Sequence, residues 1–193
     1  VYKRQGYEVV RYVTGNKGIG HYKFREDEVV GSWGGFSQDP TWEATHDVRR
    51  HLIDGFIAGS NGTTKGRDGL HAQGEGVGVR GFDQVHVVYT EFESMLTQTA
   101  RAQQLLPVEP VIQDEEYHLG DSALSDAESA EDVAAGFEFE PDADTLMEAL
   151  LPQYVSRILF AMFLEASASE SAARRTAMKS ATDNATEMVE DLS

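Results

Sequence analysis

Two glycine-containing segments have the residue types that could hold a phosphate group. The run Gly76-Val77-Gly78-Val79-Arg80-Gly81 has the glycine spacing of a dinucleotide-binding turn. That turn needs a strand before it and a helix after it, whereas a strand-like run follows this segment. The run Gly15-Asn16-Lys17-Gly18 does follow a strand-like run, but it lacks the lysine-then-hydroxyl pair of a P-loop. We therefore expect structural turns and no bound cofactor.

The histidines and carboxylates do not have the spacing of a metal site. Of the six histidines, the only near pair, His46 and His51, is five residues apart, which places the two rings on different helix faces. The acidic alternation over 138–144 lacks the glycine and the final glutamate of a calcium loop. There is no cysteine, so thiolate zinc ligands and a cysteine nucleophile are excluded. The sequence predicts no metal site and no catalytic residue.

Composition and charge narrow the class of protein. The 193 residues include 40% hydrophobic and 25% charged positions, as in ordinary globular domains. The formal net charge of −17 repels nucleic acid and anionic lipid, so we expect no nucleic-acid partner. We find neither the run of about 18 apolar residues of a membrane-spanning helix nor the layout of a signal peptide. We expect a protein that is neither exported by that route nor integral to a membrane.

Residues 6–141 have the alternating patterns of an α/β domain. Strands are predicted at Tyr7–Val13 and Glu28–Ser32, and a helix from Trp42 to Gly59. The apolar run Val85–Tyr89 is typical of a strand covered on both faces. Local preferences do not decide between strand and helix for Phe92–Leu106.

Two segments of this domain are predicted to be loops. The Gly-rich loop at 60–81 has almost no apolar side chains to bury, so we expect it to be mobile. The acidic loop at 109–136 lies in a stretch without lysine or arginine between Arg101 and Arg157, and its charges repel one another.

Residues 142–193 are predicted to form one long helix. They contain no glycine, and Pro152 is the only interior helix breaker. About 50 residues at ~1.5 Å each would reach about 75 Å, so we expect the helix to project beyond the domain. Small and apolar residues near its end follow coiled-coil spacing: Met178, Ala181, Ala185, Met188 and Leu192. We call these five residues the seam, and a seam of this kind requires a partner helix.

The stretch Ala168–Ala185 resembles the C-terminal helix signature of the gamma subunit of rotary proton-translocating ATP synthases. Two further segments agree with that family in order and spacing: Tyr89–Phe92 leading to Leu105–Pro107, and Phe139–Asp142 leading to Leu150–Tyr154. The region around Trp33 and the Gly-rich insertion after Ala58 are most similar to actinobacterial members. The similarity covers most of residues 6–193.

The resemblance implies a Rossmann-like α/β domain at the foot of a central shaft. In the family, two long helices form an antiparallel coiled coil inside a hexameric catalytic head, and this chain would supply the domain and an incomplete part of one helix. We therefore expect a fragment truncated at both ends, and we interpret Val1–Gln5 as a sequencing artefact and set these residues aside. The family pattern also makes Phe92–Leu106 mainly extended, beside the Val85 strand.

The resemblance further implies a non-catalytic rotor subunit that couples proton-driven rotation to ATP synthesis. The implied partners are the alpha and beta subunits, the epsilon subunit and the membrane c-ring, which would place the protein at the cytoplasmic side of the cell membrane. Carried over by position, the contacts with the ring are Phe139, Glu140 and Asp142. The shaft contacts are Arg174, Arg175, Met178, Lys179, Ala181, Asp183, Ala185 and Met188.

Two other readings stay open from the residues alone. A nucleotide-dependent α/β enzyme would bind ATP or NAD through this domain. A coiled-coil adaptor would dimerise through its own helix. A gamma-type rotor would do neither well, so binding and self-association measurements separate the three.

Overall fold

The computed structural model describes residues 6–66, 68–71, 78–108, 140 and 142–192. The strands are β1 (Tyr12–Thr14), β2 (Gly31–Trp33), β3 (Thr63–Thr64), β4 (Val79–Arg80), β5 (Val85–Phe92) and β6 (Gln98–Leu106). The helices are α1 (Asn16–Phe24), α2 (His46–Ala58) and α3 (Ala143–Leu192). The fold is mixed α/β with a long C-terminal helix, as predicted.

Strands β1 and β2 pair in parallel, and α1 connects them. Gly15 lies between β1 and α1 with φ of 85°, a backbone conformation that glycine adopts without strain, so the strand turns directly into the helix. Strand β1 is shorter than the predicted Tyr7–Val13, because the ladder begins at Tyr12 and both Val9 and Val10 are exposed.

Strands β5 and β6 form an antiparallel hairpin in which Val85 pairs with Leu106 and Phe92 with Gln98. The segment that local sequence left undecided is therefore mainly strand, in agreement with the resemblance. The prediction that β5 is covered on both faces is wrong, because Val88 is 77% exposed. Val85 is buried, whereas its alternate neighbours Val87 and Tyr89 are half-buried against the core.

The core lies between the two helices α2 and α3 and the strands. Helix α2 ends at Ala58, with Gly59 as its C-cap near the predicted end, but it begins at His46, four residues after the predicted start. Its apolar face contributes Val48, Leu52 and Ile53. The other buried members of the cluster are Trp33, Phe36, Phe82, Val85, Leu105, Leu106, Val155, Leu159 and Met162. The three residues of α3 in this list fix the middle of that helix on the domain.

The Gly-rich segment 60–81 contributes more to the fold than its composition predicts. Strands β3 and β4 pair with each other, and Thr64 and Val79 are buried. Gly69 lies along β2, since its carbonyl accepts a 2.7 Å hydrogen bond from the Ser32 N–H. Residues 67 and 72–77 lie outside the described residues, as does the predicted acidic loop at 109–136.

Helix α3 has three parts that differ in exposure. Its first residues, up to Tyr154, are mostly exposed, and the part from Val155 to Ala172 packs against the domain. Every residue from Ala173 to Leu192 is exposed, so about 30 Å of helix continues past the last buried residue. Length and composition alone would allow α3 to cross a membrane. Core helices meet the same criterion, and Val155, Leu159 and Met162 of α3 belong to the core.

Candidate partner-binding surfaces on helix α3

The turn that follows β1 is occupied by the chain itself. The Gly15 N–H donates a 2.8 Å hydrogen bond to the Trp33 carbonyl, and the Gly15 carbonyl accepts one of 3.1 Å from Ile19. A side chain added at Gly34 would lie 2.7 Å from Asn16 Oδ1, so the start of α1 is in close contact with the end of β2. The predicted turn is therefore a strand-to-helix junction packed on β2.

The other glycine motif does not have the structure of a dinucleotide site. Residues 79–80, within the motif, form strand β4, at the place where the fingerprint requires a helix to begin. Residues 76 and 77 lie outside the described residues.

The two histidines considered as a metal pair lie in different environments. His46 is exposed and bonds Asp47 at 3.2 Å, whereas His51 is 0% exposed. The His51 ring lies 4.9 Å from the Tyr12 ring and contacts Trp33 and Phe82 as part of the core. Among the described residues, no three histidines or carboxylates are close enough together to hold a metal ion.

The predicted ring-contact residues lie at the start of α3. Glu140 and Asp142 are exposed, and Phe139 lies outside the described residues. Asp142 caps the helix, because its Oδ1 accepts a 3.0 Å hydrogen bond from the Thr145 N–H and its Oδ2 one of 2.9 Å from the Thr145 hydroxyl. These bonds from Thr145 lower the pKa of Asp142. Asp142 therefore has a role in the helix itself, whereas Glu140 is the better probe of a contact with another subunit.

An exposed apolar patch next to this acidic pair was not predicted from the sequence. Its members are Met147, Leu150, Leu151 and Tyr154, on the first turns of α3. Their spacing of three, one and three residues places them on one side of the helix. Exposed apolar patches mark sites of interaction, and the run of apolar residues around Pro152 was the available signal.

The seam forms one exposed stripe along the end of α3. Met178 is 65% exposed and Leu192 is 88% exposed, and Ala181, Ala185 and Met188 between them are exposed as well. Arg174 continues this stripe toward the domain and bonds Glu170 one turn earlier, at 2.5 Å. The structure therefore brings these predicted shaft contacts onto one face of the helix.

A row of charged residues lies on the side of the helix roughly opposite the seam. Arg175, Lys179 and Asp183 are four residues apart and exposed, so they lie one above another on the helix surface. At about 100° per residue, the middle of this row is rotated by about 140° around the axis from the middle of the seam. The predicted shaft residues thus form two surfaces on roughly opposite sides of the helix, one apolar with small residues and one charged.

A buried arginine joins α2 to α3, and sequence analysis missed it. Arg49 is 3% exposed, and its guanidinium carbon lies 3.4 Å from the centre of the Trp42 ring. The guanidinium donates to the Trp42 carbonyl at 2.5 Å, to the Thr45 hydroxyl at 3.1 Å and to the Ser156 hydroxyl. Burial lowers the pKa of Arg49, and the nearby Glu43 opposes that shift. The available signal was a charged residue beside the apolar positions Val48 and Leu52 of α2.

Comparison with known proteins identifies the family. A family model described as ATP synthase matches residues 2–193. The ATP synthase gamma chain of Corynebacterium efficiens is 70% identical over 189 residues, which are 98% of this chain and 57% of the relative. That of Corynebacterium diphtheriae is 71% identical over 192 residues, with 99% and 58% covered. The chain belongs to the ATP synthase gamma chain family.

The gamma-chain relatives also agree with the actinobacterial character predicted from the sequence. The gamma chain of Nocardia farcinica is 48% identical over 186 residues, which are 96% of this chain and 55% of that relative. The present chain spans a little more than half the length of these curated gamma chains. The family match begins at residue 2, so it includes four of the five residues that were set aside as a sequencing artefact. That these residues are an artefact stays a prediction.

Proposed function

We propose that the chain is the foot and part of the shaft of the central rotor of an ATP synthase. In this proposal the domain is Rossmann-like, and α3 is one half of an antiparallel coiled coil. The observation that carries the proposal is the seam, an apolar stripe on about 30 Å of helix that the domain does not cover. Such a stripe is stable in water when a second helix covers it.

The rotor itself performs no bond chemistry in this proposal. Nucleotide chemistry occurs on the surrounding alpha and beta subunits, and an asymmetric shaft favours a different conformation in each of them. Exposed charges such as Arg175, Lys179 and Asp183 form contacts that break and re-form as the shaft turns. The chain would contribute a stiff shaft, and the contacts between its surface and the surrounding subunits would change as it turns.

The foot of the rotor is assigned to the start of α3. Phe139, Glu140 and Asp142 would meet the polar loops of the membrane c-ring, and the epsilon subunit would bind the same lower part of the rotor. The exposed apolar patch from Met147 to Tyr154 supports a protein contact at this end. The protein would lie at the cytoplasmic side of the cell membrane and be attached to it only through the complex.

Reversible cross-linking of the shaft tests the rotor function. These 193 residues contain no cysteine, so Lys179→Cys, in a full-length protein from which any other cysteine has been removed, introduces a single thiol on the exposed part of α3. Joining this thiol to a neighbouring subunit with a cleavable thiol-to-amine reagent should stop ATP hydrolysis by the complex, because a fixed shaft blocks the cycle. Cleavage of the reagent should restore the rate.

A matched variant controls for the chemistry. Lys65→Cys places the same thiol at an exposed position of the domain, and its modification should leave hydrolysis unchanged. Full hydrolysis by complexes whose position 179 is completely cross-linked would exclude the rotor function.

A further inference from the structure

Three serines of α3 are buried, and each makes a hydrogen bond to a different part of the domain. Ser156 accepts from Arg49 of α2, Ser167 donates to the carbonyl of Gln38 at 3.1 Å, and Ser169 donates to the carbonyl of Thr90 in β5 at 3.2 Å. The polar contacts therefore reach a helix, a loop and a strand. Side-chain hydroxyls are rarely buried in a helix without such partners.

The three serines lie on two flanks of the helix. Ser156 and Ser167 are 11 residues apart, which is about three turns, so they lie within about 20° of each other around the axis. Ser169 follows two residues later and lies about 160° away on the other side. Ser156 and Ser169 are separated by about 20 Å along the axis. The hydrogen bonds thus hold the helix from both sides and at both ends of its packed part.

The apolar contacts alone do not define the position of the helix so closely. Val155, Leu159 and Met162 pack in the core, but dispersion and hydrophobic burial are non-directional and tolerate small rotations. A hydrogen bond to a fixed backbone carbonyl weakens steeply when its angle or length changes. Small rotations of α3 would stretch the bonds on one flank or the other.

We propose that Ser156, Ser167 and Ser169 are positioning residues that fix the rotational and axial register of α3 on the domain. This inference rests on the proposed function, because torque in a rotor must pass between the foot domain and the shaft without slippage. Arg49 anchors one flank, since it holds Ser156 while remaining bonded to Trp42 and Thr45. The seam then points in a defined direction relative to the foot.

Distance measurements on the assembled enzyme test the register directly. Spin labels are attached to cysteines placed at Ile57 on α2 and Ser180 on α3 of the full-length chain, both exposed positions. Replacing Ser156, Ser167 and Ser169 together by alanine should broaden the distance distribution between the labels at least twofold. Ser171→Ala, an exposed serine on the same helix, should leave it unchanged.

A functional readout accompanies the distances. In inverted membrane vesicles, the triple variant should pump at most half as many protons per ATP hydrolysed as the parent, with hydrolysis itself retained. A second triple variant combines Ser167→Thr with Ser156→Ala and Ser169→Ala, so that position 167 keeps a hydroxyl. Its distance distribution should be narrower than that of the alanine variant, and part of the proton pumping should be recovered. A change of stability alone would lower the amount of enzyme without changing this ratio.

The outcomes separate the two proposals. An unchanged distance distribution in the triple variant would overturn the assignment of the serines. A broader distribution with unchanged proton pumping would support the assignment and count against the rotor function. If the triple variant does not assemble, the single variants Ser167→Ala and Ser169→Ala should each broaden the distance distribution to a smaller degree. An unchanged distribution in both single variants would overturn the assignment.

Discussion

At the scale of single residues, Gly69 allows the segment after β3 to approach the Trp33 indole. Its φ is 87°, and a Cβ at this position would lie 2.5 Å from Trp33 Cδ1. The same indole donates a 2.8 Å hydrogen bond to the Asp68 carbonyl, which fixes the backbone next to the ring. Position 69 therefore requires glycine both for its backbone conformation and for space.

Gly69→Ala should destabilise the chain by about 2–4 kcal/mol, because the left-handed backbone and the clash with Trp33 each have a cost. Urea unfolding followed by tryptophan fluorescence measures the change. Gly66→Ala is the matched control, since an added Cβ there meets nothing within 4 Å, and it should change the stability by less than about 1 kcal/mol. Equal effects of the two substitutions would contradict the role assigned to Gly69.

Tyr12 gives the core a sensitivity to alkaline pH. Burial raises its pKa from 10.0 to about 12, and its hydroxyl makes no hydrogen bond within the described part of the chain. The protonated form is the one that the fold favours, so this contribution to stability is fully present below pH 10 and is lost as the pH rises toward about 12.

Tyr12→Phe should therefore reduce the loss of stability between pH 9 and about pH 11.5, while leaving stability near pH 7 unchanged or slightly higher. The measurement is the urea midpoint of parent and variant at several pH values. If both proteins lose stability equally over this range, another group is responsible for the alkaline transition.

At the scale of elements, sequence analysis predicted the helices whose apolar residues recur at helical spacing along their buried side. Helix α2 and the long α3 show apolar residues at helical spacing, and both were predicted, although α2 begins at His46 and not at Trp42. Helix α1 was missed because none of its residues is buried and Gly18 and Gly20 interrupt it. No apolar period exists there for sequence analysis to detect.

Strand β6 and the buried hydrogen bond between α2 and α3 both depend on contacts between residues that are far apart in the sequence. The helix-favouring residues from Ala100 to Leu106 form strand β6, because pairing with β5 outweighs their intrinsic preference. Arg49 and Ser156 were not singled out, since polar residues near an apolar face are usually exposed at its edge. Only the three-dimensional structure shows that Arg49 donates to Ser156 across 107 residues of sequence.

At the scale of the whole molecule, the basic residues in the last part of the chain are confined to one short stretch of α3. The net charge is −17, yet the only basic residues after Arg157 are Arg174, Arg175 and Lys179. They lie close together on the part of α3 that extends past the last buried residue. The same exposed part carries Asp183, Glu187, Glu190 and Asp191 closer to its end, so its basic and acidic residues are separated along the axis. In the proposed rotor, the basic cluster would favour contacts with acidic partner surfaces.

The last prediction concerns the seam in the whole protein. In the proposed coiled coil, Ala181 is a position of close approach between two helices, so Ala181→Leu should overpack the interface and lower stability by about 1–3 kcal/mol when the partner helix is present. In the present chain Ala181 is exposed, and the same change should be nearly neutral. Urea unfolding of both proteins measures the difference.

A leucine on the far face of α3 controls for helix propensity. Thr176→Leu changes an exposed residue about 140° around the helix from Ala181 and should be nearly neutral with or without the partner helix. Adding the partner should also protect the amides beyond residue 180 from hydrogen exchange, because a helix end with no tertiary packing frays. If Ala181→Leu has the same effect in both proteins, the stripe packs on the domain of its own chain in solution. The shaft would then have to be placed on another face of α3.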